Sequence, residues 1–102
     1  MIKVAYLKTA TSVQLRVKGH ANSVPYGHDL VCAAVSAILT GGLNALIHPG
    51  RYAITSTDGL VELTSSEALE QHDLIVLETM LRQLETLAEA HPQSIQITLK
   101  GS

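Results

Sequence analysis

Two proline stops, His48-Pro49-Gly50 and His91-Pro92, divide this 102-residue chain and limit what can stand on either side of them. Proline lacks the backbone N–H that a helix interior needs, so a helical run must end at or before each stop. Both stops follow apolar residues at helical spacing. From Leu30 to His48 these are Val31, Val35, Ile38, Leu39, Leu46 and Ile47. From about Glu67 to Ala90, Leu74, Leu77, Leu81, Leu84 and Ala88 form one stripe, with Val76, Met80 and Leu87 beside it. The arc of this second helix is wide enough to need cover from more than a sheet face: either the first helix or the same helix of a second subunit. The second option predicts a homodimer. Gly41 and Gly42 each cost about 1 kcal/mol against alanine in a helix interior, so close packing or a kink is expected there.

The remaining segments alternate. Ile2 to Lys8 and Ser12 to Gly19 place Ile2, Val4, Tyr6 and then Val13, Leu15, Val17 on one face, joined by Thr9-Ala10-Thr11. Arg51 to Thr57 and Leu60 to Ser65 flank Asp58-Gly59, a pair suited to a two-residue hairpin turn. Ser94 to Lys100 supplies a last strand through Ile95, Ile97 and Leu99. The order ββαββαβ predicts an α+β fold: one domain over residues 1–102, with an antiparallel or mixed sheet and two packed helices.

Composition narrows the function. Hydrophobic residues make up 46% of the chain, yet Phe and Trp are absent, which leaves little aromatic surface for stacking bases. Seven Lys and Arg stand against nine Asp and Glu, a formal charge of −2, with no basic run to collect phosphates. Direct nucleic-acid binding is not expected, and a cationic partner fits better. The start, Met1-Ile2-Lys3-Val4-Ala5-Tyr6, reads as a strand rather than a secretory signal, and no apolar run approaches the length of about 18 residues that spans a bilayer. A cytoplasmic protein with a reduced thiol is the expectation.

That thiol, Cys32, is the only one. A lone cysteine is usually a small buried apolar group, here among Val31, Ala33, Ala34 and Val35. Its position allows more. Asp29 reads as a helix N-cap, which places Cys32 near the free N–H groups and positive dipole end that favour thiolate. His20, at the end of the second strand, is within one short loop of it and is a candidate base, although a histidine at a strand end is more often a surface residue. Asp29 would cap the helix or orient His20; Ser36, one turn beyond Cys32, would bond thiol, substrate or its own i−4 carbonyl. The N–H groups of Cys32 and Ala33 are candidate oxyanion donors, and Gly19 and Gly27 candidate hinges. The aperiodic segment Ala21 to His28 reads as a mobile flap that would order on substrate binding. His20, His28, Asp29 and Cys32 also form a possible zinc set, disfavoured because they lack a recognisable ligand spacing. His48, His72 and His91, at or near helix ends, are explained by dipole contacts and exposure.

Gly19-His20-Ala21, a loop closing on Gly27-His28-Asp29, and then Leu30-Val31-Cys32-Ala33-Ala34-Val35-Ser36 closely resemble the signature of the bacterial ribosomal-processing cysteine proteases (Prp). The resemblance covers the whole chain, and His28 stands at a position that looks variable in the family. It implies a catalytic pair of His20 and Cys32, twelve residues apart, with Asp29 and Ser36 in the same motif. It further implies a dimeric thiol endopeptidase without cofactor that removes the N-terminal extension of large ribosomal subunit protein twenty-seven. The rival from another class is a ribosome-assembly or adaptor module whose thiol is packing.

Overall fold

The structure is a computed structural model that describes residues 1–19, 27–57, 59–65 and 67–101. Its elements are β1 (Ile2–Lys8), β2 (Val13–Lys18), α1 (Gly27–Asn44), a short 3-10 turn (Pro49–Arg51), β3 (Ala53–Thr57), β4 (Leu60–Ser65), α2 (Gln71–Ala90) and β5 (Ile95–Gly101). The strands form one sheet in the order β3-β4-β2-β1-β5. All neighbours are antiparallel except β1 and β5, which pair in parallel from Ile2↔Ile95 to Lys8↔Gly101, so the sheet is mixed.

Alternation sorts the strands into two faces. Ile2, Val4, Tyr6, Val13, Leu15, Val17, Leu63 and Ile95 point inward and are buried. Lys3, Ala5, Arg16, Lys18, Gln96, Thr98 and Lys100 occupy the other face and are exposed. The helices cover the inner face with Val31, Val35 and Leu39 from α1 and Leu77, Met80 and Leu84 from α2. Leu77 and Leu84 retain 1% and 0% exposure, burial that stabilises each by about 2 kcal/mol.

The sheet and α1 thus cover the centre of the α2 arc: Leu77, Met80 and Leu84 are buried within one chain, and Leu74, Val76 and Leu81 are half-buried. Gly42 accounts for itself in the same way. A Cβ there would run into the Met80 side chain, so glycine lets α1 and α2 approach closely, while the space around Gly41 is open.

Several boundaries differ from the sequence expectation. α1 begins at Gly27 rather than at Leu30, which removes Gly27 and His28 from the expected flap and makes Asp29 the third helical residue rather than the N-cap. α1 also ends earlier, at Asn44, because the following chain is drawn onto α2. Leu46 is buried, the Ile47 N–H donates to Asp73 Oδ1 at 3.0 Å, and the Tyr52 hydroxyl donates to Asp73 Oδ2 at 2.7 Å. His72 Nε2 lies 2.9 Å from the Ala45 carbonyl oxygen, and Glu70 meets Arg51 at 3.0 Å.

Asp73 is a buried carboxylate, 2% exposed, in the first turn of α2. Burial alone would raise its pKa. The Ile47 N–H, the Tyr52 hydroxyl and the nearby His72 and His48 outweigh that and hold it below the usual carboxylate range. The lowered folded-state pKa makes its contribution fully present above the unfolded value of about 3.9, and lost as pH falls through the folded value. Asp73→Ala should lower stability near neutrality by about 1–3 kcal/mol, because it strands two donors. Urea unfolding at pH 7 and pH 3 checks this: the difference from wild type should shrink at the lower pH.

Candidate active site

β2 is followed by Gly19, where the backbone takes φ +120°, a region L side chains rarely adopt. A Cβ there would also strike the Met1 carbonyl oxygen and the Ile2 Cα. The Gly19 N–H donates to the Gly59 carbonyl at 2.9 Å, which ties the end of β2 to the β3–β4 connection. This glycine is therefore required by geometry, packed against the start of β1. His20 itself, with 21–26 of the expected flap, lies outside the described residues, as do the side chains of His28 and Asp29.

Cys32 is half-buried, next to Val31 and Val35, which face the sheet. Helical spacing carries its flank on to Ser36 and Thr40, both exposed. These three α1 residues, Gly19, and Ser56, Thr57 and Gly59 of the second hairpin line one cleft of about 350 Å³. Its apolar floor includes Ile2, Val17 and Val61, and among the described residues no charged side chain lines it. The Ser36 hydroxyl makes no hydrogen bond among the described residues, so the expected alternative of a bond to its i−4 carbonyl is not what occupies it.

The oxyanion expectation changes with the helix start. With α1 wound from Gly27, helical register pairs the N–H groups of Cys32 and Ala33 with the carbonyls of His28 and Asp29, and the free donors are those of the first four residues. Cys32 is the sixth helical residue, one turn deeper than the N-cap assignment implied. Ala33 is exposed on this helix. Among the described residues no group of three or more His, Cys, Asp or Glu is placed to hold a metal ion, and no helix is long and apolar enough to cross a membrane.

A cleft with a thiol on one wall and hydroxyls around it suits a peptide and nucleophilic chemistry. The family model described as cysteine protease Prp matches residues 1–96. The chain belongs to that family. The ribosomal processing cysteine protease Prp of Staphylococcus aureus is 36% identical over 86 residues, 80% of this chain and 81% of that one. Two crystal structures of the S. aureus Prp resemble the fold. One is in complex with a covalently linked product peptide (TM-score 0.75, 31% identity, 98% of this chain and 100% of that chain). The other is in complex with a substrate peptide (TM-score 0.76, 30% identity, 98% and 100%). This Prp chain is accordingly a cysteine protease, a hydrolase, with the α+β architecture its residue pattern predicts.

Sequence reasoning missed Thr40, Ser56, Thr57 and Gly59 as members of the Prp cleft. The α1 spacing from Cys32 to Ser36 to Thr40 was a usable signal. No linear signal brings 56–59 to the thiol, because that depends on β4 lying beside β2. Gly19→Ala combines a strained φ with a backbone clash and should cost more than about 1 kcal/mol. Denaturant unfolding measures this; Gly41→Ala, inside α1 with open space around it, should instead raise stability by about 1 kcal/mol.

Proposed function

We propose that this protease uses Cys32 as its nucleophile and His20 as its base, and cleaves the N-terminal extension of large ribosomal subunit protein twenty-seven in the cytoplasm. The observation that carries the reading is the shared cleft: Gly19, which immediately precedes His20, and Cys32, the only cysteine, line the same cavity. The relatives' description as ribosomal processing proteases supports the substrate. In this mechanism the Cys32 thiolate attacks the scissile carbonyl, and the imidazolium of His20 gives its proton to the leaving amine as the C–N bond breaks. His20 then takes a proton from water, whose oxygen attacks the thioester, and the thiol is regenerated. Asp29 is assigned to support the start of α1, Ser36 to contact substrate in the cleft, and Gly19 and Gly27 to bracket the segment carrying His20.

Cys32→Ala and His20→Ala should each abolish cleavage of a peptide spanning the extension junction while keeping a cooperative unfolding transition. Full activity in either purified variant removes that residue from the mechanism. Labelling of native Cys32 by a thiol reagent at neutral pH separates this reading from an adaptor with a structural thiol, in which the reagent reacts only after denaturation.

We also propose a homodimer. Ile75 and Leu99, 54% and 53% exposed, support it. They lie toward the same end of the molecule: Lys8 pairs with both Gly101 and Val13, Val13 pairs with Ser65, and α2 begins shortly after Ser65. Ile75→Glu should halve the sedimenting mass at micromolar concentration. Leu77→Glu is no test, since Leu77 is buried within the chain. A wild-type monomer under those conditions overturns the dimer.

A further inference from the structure

β3 is an edge strand, and it is an unguarded one. Its sequence, Ala53-Ile54-Thr55-Ser56-Thr57, contains no charge and no proline, and all five residues are exposed. Edge strands offer unpaired N–H and C=O groups, and proteins commonly blunt them with lysine, proline or a bulge. At β3 none of these occurs: Ala53 to Thr57 pair with Thr64 to Leu60 without interruption.

Register identifies the free groups. Thr57 pairs with Leu60, which leaves two residues between them. So short a connection closes with the flanking pair exchanging hydrogen bonds. Alternation then turns the N–H and C=O of Ala53, Thr55 and Thr57 toward β4, and those of Ile54 and Ser56 away from the sheet. No further backbone partner meets Ile54 or Ser56 among the described residues. Ser56 also lines the cleft that holds Cys32 and Ser36. Ser56 of the open edge and the Cys32 thiol therefore border one space.

We propose that β3 receives the substrate as an added strand, with the peptide backbone hydrogen-bonded to the outward N–H and C=O groups of Ile54 and Ser56 and the scissile bond carried past Cys32. This rests on the reading of Cys32 as a peptide-cleaving thiol. The complement of a row of unpaired backbone groups is another extended backbone, which would lie about 4.8 Å from β3. Alternate side chains of the strand would point to opposite sides, so the enzyme would read its substrate at every second residue.

The test is a scan of single backbone N-methyl groups through the extension-junction peptide, cleaved by the wild-type enzyme. Two positions separated by one residue should each raise KM by about tenfold, with the position between them within about twofold of the parent peptide; an N-methyl group removes one donor, and tenfold is about 1.4 kcal/mol, the upper range for one hydrogen bond. Ser56→Pro removes an outward donor and leaves the β4 ladder intact, since an edge strand tolerates proline on its outer side. It should raise KM for the unmodified peptide by about the same factor, with the alkylation rate of Cys32 by iodoacetamide unchanged. A scan without two-residue periodicity overturns the added strand whether or not the proline variant folds. Absence of cleavage of the parent peptide by wild type overturns the proposed function instead.

Discussion

One-sided burial governs this molecule. The inner faces of β1, β2, β4 and β5 are apolar and must be covered, whereas the outer face is studded with Lys3, Arg16, Lys18 and Lys100 and can meet water. Both helices are consequently confined to one side, where they must also pack on each other. Gly42 allows that contact by leaving room for Met80. Once Val31, Val35 and Leu39 are turned into the core, helical geometry leaves Cys32 and Ser36 on the flank of α1, at the border between packed core and cleft. The place of the thiol is thus a consequence of how the hydrophobic layer closes.

A polar clasp secures the other end of α1. Asp73 accepts from the Ile47 N–H and the Tyr52 hydroxyl, and so joins the start of α2 to the segment between α1 and β3. Burial first, and then the same carboxylate, push the Tyr52 hydroxyl pKa well above its ordinary value. Because that segment leads directly into β3, the clasp also helps set where the edge strand stands relative to α1. Both walls of the cleft are therefore referred to one core: α1 through its buried leucine and valines, β3 through β4 and the Asp73 clasp.

The cleft itself is built by strand order. β4 lies beside β2, not beside β1, and this brings the β3–β4 connection to Gly19, whose N–H it accepts through the Gly59 carbonyl. A left-handed glycine at the end of β2 and another at Gly59, φ +78°, let the two chain reversals meet. Ile2 and three further stretches, Val17 and Gly19, residues between 32 and 40, and 56–57 with 59–61, then enclose a cavity that none of them forms alone.

Local signals were sufficient for much of this. The proline stops, the strand alternation and Asp58-Gly59 carry the element order, because each acts through neighbouring backbone and side chains. The run from Gly19 to Ser36 was enough to point to the family. The start of α1 at Gly27 was hidden: glycine and histidine ahead of Asp29 read locally as loop, and whether they wind into the helix is decided by where its apolar side docks. Asp73 was equally hidden, since a carboxylate in a first helical turn looks like ordinary dipole complementarity until Ile47 and Tyr52 arrive from 26 and 21 residues away. Sequence determined the periodicities and the reactive residue types; the tertiary structure decided which strand lies beside which, and with it the cleft, the clasp and the open edge of β3, because those are fixed by contacts between residues far apart in the chain.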